Sequence, residues 1–154
     1  KYAEAYRNRG AAYLEKGNFD QALSDYNKAI ELDPKHAEAY NNRAYAYFGK
    51  GNFDQAIFDC NKAIEINPKL AEAYNNRAAP YLKKGNLDQS ISDYNKAIEL
   101  NPEYAEAYNN RAMVYFKKQQ YINSWEDVHR AEALGRKINP EFIDALKKAS
   151  GREL

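Results

Sequence analysis

Asn8, Asn42, Asn76 and Asn110 stand 34 residues apart. A second amide precedes three of them, at Asn41, Asn75 and Asn109, and Arg7 takes that place in the first. A side-chain amide carries two donors and an acceptor, so it can pair with a peptide group in both directions. A row of such amides would hold an extended chain by its backbone, with little regard to its side chains. The plainer reading is that asparagine serves solubility or local bonding there. A second periodic set is ionic: Arg9, Arg43, Arg77 and Arg111, each followed 16 residues later by Asp25, Asp59, Asp93 and Asp127. The constant separation predicts one ion pair per unit, setting geometry more than adding stability, because desolvation offsets much of the attraction. Arginines offered to an anionic ligand would not need so regular a set of aspartates.

The elements that position these groups follow from the same period. Ala-Glu-Ala-Tyr begins at Ala3, Ala37, Ala71 and Ala105. With Ala3 counted as position 1, small and aromatic residues fall at positions 1, 3, 4, 8 and 11, which is one helical stripe. Gly17, Gly51 and Gly85 follow, where a left-handed helix end costs glycine least. A second stripe runs through Ala22, Leu23, Tyr26, Ala29 and Ile30 and their equivalents. Asp33-Pro34, Asn67-Pro68 and Asn101-Pro102 then stop the helix, since proline cannot continue it and pushes its predecessor into an extended form. Each unit therefore reads as helix, tight turn, helix. A period of this length means units that bury their apolar faces only by stacking.

The pattern Tyr6, Gly10, Tyr13, Ala22, Tyr26, Ala29 and Pro34, repeated as Tyr40, Ala44, Tyr47, Ala56, Cys60, Ala63 and Pro68, resembles the tetratricopeptide (TPR) repeat family. The third unit has Ser90 for the alanine; the fourth departs at Ser124, Val128 and Arg136. The resemblance covers residues 3–138 and implies an all-α, right-handed superhelical α-α solenoid with the first helices lining a concave groove. It sets four units at 3–36, 37–70, 71–104 and 105–138, with 139–154 as a capping helix and tail. Asn139, Pro140 and Gly151 suit the ends of that helix, and Phe142, Ile143, Leu146 and Ala149 its apolar face. Trp125 is expected to pack beneath it.

By helical spacing, positions 2, 5, 6, 9, 12 and 13 share the groove face. The face starts with Glu4, Glu38, Glu72 and Glu106 and continues through the amides. It ends in an apolar set in which Tyr45, Phe48, Met113 and Phe116 are the larger members. The peptide-binding set is thus Arg7, Asn8, Asn41, Asn42, Tyr45, Phe48, Asn75, Asn76, Asn109, Asn110, Met113 and Phe116. The family also contains domains that clamp a chaperone's C-terminal carboxylate with Lys and Asn. Arg7 and Asn42 match that clamp in kind, but Ala11, Glu72 and Asn76 replace its other members. A glutamate there would repel a carboxylate, so this sequence argues against a chaperone tail. The glutamate row complements helix N-termini and makes one rim acidic, which favours a neutral to basic, extended peptide; Lys83 and Lys117 offset it in the later units.

Other features are quieter. Net charge is +1, with 23 basic and 22 acidic residues interspersed, so no block announces nucleic acid or an anionic membrane. No apolar run reaches the roughly 20 residues of a membrane span, and no signal peptide is visible. The lone Cys60 excludes an internal disulfide and a cysteine metal cluster; a reducing, cytoplasmic setting fits. Of the fourteen tyrosines, eight (Tyr6, Tyr40, Tyr74 and Tyr108; Tyr13, Tyr47, Tyr81 and Tyr115) sit at fixed packing positions and are read as core. Pro80, inside a first helix, is expected to kink it. His36 and His129 lie apart in the pattern, and no phosphate loop, metal spacing or nucleophile elbow accompanies them. The reading is a scaffold or adaptor module, not an enzyme, without cofactor. Its rival is a structural spacer stacking through an uncapped N-terminal end. Lys1-Tyr2 matches the unit ending Lys35-His36, so the chain reads as a piece of a longer protein.

Overall fold

The computed structural model describes residues 2–151, which form nine α-helices. They are α1 (Tyr2–Glu15), α2 (Phe19–Leu32), α3 (Ala37–Gly49), α4 (Phe53–Ile66), α5 (Ala71–Lys83), α6 (Leu87–Leu100), α7 (Ala105–Lys117), α8 (Tyr121–Ala133) and α9 (Pro140–Ser150). The expectations attached to Lys1 and to the tail beyond Gly151 lie outside the described residues.

Helices pair as α1/α2, α3/α4, α5/α6 and α7/α8, and each pair leans on the next through α2–α3, α4–α5 and α6–α7. The first helices also touch in series, α1 to α3 to α5 to α7. Alanine makes this approach possible: Ala22, Ala29, Ala39, Ala44, Ala56, Ala63, Ala73, Ala78, Ala97, Ala107 and Ala112 are all at most 1% exposed. Where the pair is tightest even a methyl is excluded, since a Cβ on Gly10 would stand 2.7 Å from the Tyr26 ring.

The turns follow from backbone chemistry. Gly17, Gly51 and Gly85 adopt φ of 73°, 77° and 81°, the left-handed region glycine enters freely. The fourth unit places Gln119 in the same region at φ 59°, which costs a residue with a Cβ about 1–2 kcal/mol. Between units, Asp33, Asn67 and Asn101 are extended, as a following proline demands. Each turns its side-chain oxygen back to accept the N–H two residues on, at Lys35, Lys69 and Glu103.

The Arg–Asp spacing resolves into bidentate pairs in all four units. Arg77 Nε and Nη2 donate to Asp93 at 2.8 and 2.6 Å, and Arg9–Asp25, Arg43–Asp59 and Arg111–Asp127 repeat the geometry. The arginines also make contacts that the 16-residue Arg–Asp spacing does not announce. Arg43, Arg77 and Arg111 donate Nη1 to Asn27, Asn61 and Asn95 of the preceding unit. Lys50, Lys84 and Lys118 bridge the same boundaries to Asp20, Asp54 and Asp88. These latter pairs are exposed and worth little each.

α5 remains one helix through Pro80, which is fully buried. At the other end Asn139 caps α9 by accepting from the Glu141 N–H at 2.9 Å. Leu146 of α9 is buried with Ala112, Trp125 and Val128, and Trp125 Nε1 donates to Ser150 Oγ at 3.1 Å. Ala149, placed on the apolar face by spacing, is exposed instead, because α9 meets the bundle through Phe142, Ile143 and Leu146.

Candidate functional site

The first helices α3, α5 and α7 line an open groove of about 500 Å³. Each of the three helices contributes from the same few positions. Tyr45 and Phe48 come from α3; Asn75, Asn76, Ala79 and Leu82 from α5; and Glu106, Asn110 and Met113 from α7. The depth arises over Ala79: at the same place in the neighbouring helices stand Tyr45, half exposed, and Met113. A small residue between two large ones leaves a hole.

Six of the twelve residues expected to bind peptide therefore meet around one cavity: Tyr45, Phe48, Asn75, Asn76, Asn110 and Met113. The others lie elsewhere. Asn8 is exposed on α1 and Asn42 half-buried on α3. Arg7 lies 3.6 Å from Glu4, with a buried Nε that meets no partner among the described residues; the buried Tyr26 hydroxyl is likewise unmatched. Phe116, expected as an apolar foothold, is engaged by the capping helix: its ring meets Phe142 edge-on at 5.6 Å and Tyr121 at 5.9 Å.

The amides form a chain of their own. Asn109 Nδ2 donates to Asn110 Oδ1, Asn110 to Asn75, Asn75 to Asn76, and Asn76 to Asn41, over 3.0–3.4 Å. Asn41 and Asn75, read from the sequence as groove-facing, are 7% and 4% exposed. Asn41 stands outside the cavity lining, whereas Asn75, though buried in the seam between units, still meets the cavity. Asn76 and Asn110 keep one N–H and one lone pair beyond these bonds. The relay stops at α1, because Arg7 has donors only and offers no oxygen to Asn42.

Six lining residues stand outside the expected set: Ala79 and Leu82 of the groove face, and Lys83, Lys117, Glu106 and Tyr94. Lys83 and Lys117 rim the cavity at the C-terminal ends of α5 and α7, and neither forms an ion pair among the described residues. Glu106 rims it at the opposite end of α7. Tyr94, from the second helix α6, closes the floor and is 1% exposed. Burial chiefly, then the negative Glu106, pushes its phenol well above the ordinary range. Burial likewise raises Tyr104, with Glu106 and Glu72 adding to it. The acidic rim is thus felt inside the fold. The lysines and Glu106 were visible as members of the groove face. Tyr94 was not, since its periodicity belongs to the second helix.

No described helix is long and apolar enough to cross a membrane. Cys60 is fully buried, and desolvation drives its thiol pKa far up, so it is inert as a nucleophile.

Sequence models described as "Tetratricopeptide repeat" match residues 3–36 and 37–70 and, separately, 60–92; one described as "TPR repeat" matches 80–119. A curated relative, the Protein SGT1 homolog of Oryza sativa subsp. japonica, is 53% identical over 32 residues, 21% of this chain and 9% of that protein. The chain thus matches less than a tenth of that relative's length. Among solved structures, the first TPR of Spaghetti (RPAP3) bound to the HSP90 peptide SRMEEVD is 31% identical, covering 75% of this chain and 92% of that one with TM-score 0.72. The first TPR domain of human RPAP3 is 28% identical over 86% of this chain and 96% of its own, also at 0.72. MamA is 26% identical over 86% and 78%, at 0.76. Repeat models spanning residues 3–119, and an all-helical solenoid shared with these neighbours, place the chain in the tetratricopeptide repeat family.

Proposed function

We propose that this chain is a protein-interaction module whose groove across α3, α5 and α7 holds a partner's peptide segment in an extended form. The observation that carries the reading is the cavity over Ala79, where an apolar pocket lies directly beside the hydrogen-bonded amides Asn76 and Asn110. Pockets of this size with a few convergent polar groups are the usual seats of ligands. A neighbour 31% identical to this chain holds the peptide SRMEEVD, which supports a peptide as the occupant. The exposed Glu38, Glu72 and Glu106 favour a segment that is neutral to basic overall, and an acidic chaperone tail fits less well. The repeat units occupy 3–138 in this reading, with residues 140–149 as their lid.

End-to-end stacking has less support. At the C-terminal end Ile122 and His129 occupy the places from which Asp88 and Asn95 join the next unit, and α9 covers the apolar surface.

The test is selection of random peptides displayed on phage against the native protein, followed by binding to Met113→Glu and Tyr45→Ala. Selected peptides should bind the native protein and lose affinity for both variants, with helical content unchanged. Peptides that bind native and variant proteins alike would overturn the groove as the site.

A further inference from the structure

The groove is layered across its width. Going along a first helix, position 2 is glutamate, position 6 asparagine, position 9 the apolar set, and position 13 lysine in α5 and α7. At 1.5 Å per residue the amide row lies about 6 Å from the glutamate wall and about 10 Å from the lysine wall. The two walls are not equivalent. Lys84 and Lys118 are held by aspartates of the preceding unit, while the adjacent Lys83 and Lys117 border the cavity and form no ion pair among the described residues. The basic wall is confined to units three and four: the equivalent place is Glu15 in unit one and Gly49 in unit two, where the Phe19 ring leaves no room for a Cβ.

A strand lying on the amide row must turn its N–H and C=O groups toward Asn76 and Asn110. Successive side chains then point to opposite walls, because they alternate along an extended chain. One set faces Glu72 and Glu106. The other crosses the apolar pocket of Phe48, Leu82 and Met113 toward the lysines.

Resting on the peptide-holding role above, we infer that the groove reads a two-row code: basic side chains at alternate residues, and apolar or acidic ones, never basic, at the residues between. The occupant is an extended partner segment with lysine or arginine on one edge and leucine-like or acidic side chains on the other. Charge complementarity fixes which edge faces which wall. A helical segment would place neither edge in register with both walls while its backbone is bonded internally.

The experiment uses three synthetic peptides: one alternating lysine with leucine over seven residues, an isomer of the same composition with lysines and leucines in separate blocks, and one alternating glutamate with leucine. Affinity is measured by calorimetry at two salt concentrations. The alternating lysine peptide should bind about tenfold more tightly than its block isomer and than the glutamate peptide. Glu72→Lys with Glu106→Lys should reverse the preference between the lysine and glutamate peptides. Glu72→Gln with Glu106→Gln, which keeps shape, should only erase it. Equal binding of the two isomers, still weakened by Asn110→Ala, would overturn the code and leave the peptide-holding role standing. Equal binding that ignores Asn110→Ala and Met113→Glu would remove both.

Discussion

Asn76 Nδ2 donates to Asn41 Oδ1 at 3.0 Å across the seam between the second and third units. One amide therefore both faces the groove and braces the stack. Asn42, one residue after Asn41, makes no side-chain hydrogen bond among the described residues.

Asn42 and Asn76 should for that reason behave differently when replaced. Asn76→Ala leaves the Asn41 carbonyl buried and unmatched, a cost of about 1–3 kcal/mol. Its midpoint in urea should fall, together with affinity for groove-selected peptides. Asn42→Ala should leave the midpoint unchanged. Equal midpoints for the two variants would mean that the amide relay contributes nothing to the stack.

The arginines offer a second contrast. The side chain of Arg77 is 20% exposed and its partner Asp93 8%, whereas Arg9 is 59% exposed. Arg77→Ala strands a buried carboxylate and should cost about 3–5 kcal/mol. Asp25 is as buried as Asp93, but Arg9→Ala should cost less, because the guanidinium that covers Asp25 is itself mostly exposed and its removal lets water reach the carboxylate. Arg77→Lys should recover only part of the loss, since an ammonium cannot bind Asp93 with two parallel bonds and also reach Asn61. Chemical denaturation of the three variants checks the order.

Buried phenols set an alkaline limit. Desolvation pushes Tyr26 up to about 12 from an ordinary value of 10. Tyr94 and Tyr104 are raised by the same cause. Below pH 10 these groups are protonated in both folded and unfolded chains, and stability is whole. As pH rises from 10 through about 12 the unfolded chain loses protons that the folded chain keeps, so each such group removes up to about 1.4 kcal/mol per pH unit. Tyrosinate absorbance should rise late and together with loss of helical circular dichroism. A full titration near pH 10 with the helices intact would contradict this.

Gln119 is a correctable fault. It holds the left-handed backbone that glycine supplies in the other three units. Gln119→Gly relieves that strain but frees the unfolded chain, for a net gain of about 0.5–1 kcal/mol. The melting temperature should rise by about 2 °C.

Much of this architecture was legible because each unit repeats a local rule. Glycine at the turn, proline after an extended residue, and Arg and Asp a fixed distance apart all act within one helix pair. They needed no knowledge of how pairs sit on each other. The misreadings share the opposite property. Asn41 is sunk in the seam between the second and third units, whose packing no single unit specifies, and misses the cavity. Phe116 is covered by α9, an element outside the repeat. Tyr94 enters the groove from a second helix because Ala79 above it is small. Even so, the row of Tyr45, Ala79 and Met113 was in plain view, and its size pattern marks the cavity.

The guanidinium of an interior arginine closes its own hairpin and, through Nη1, fastens the hairpin before it. Neighbouring bricks thus share a bolt. In an array held by nearest-neighbour contacts such a bolt strengthens the coupling of each brick to the next, so that a trough built this way offers its partner a constant spacing of contacts from one unit to another.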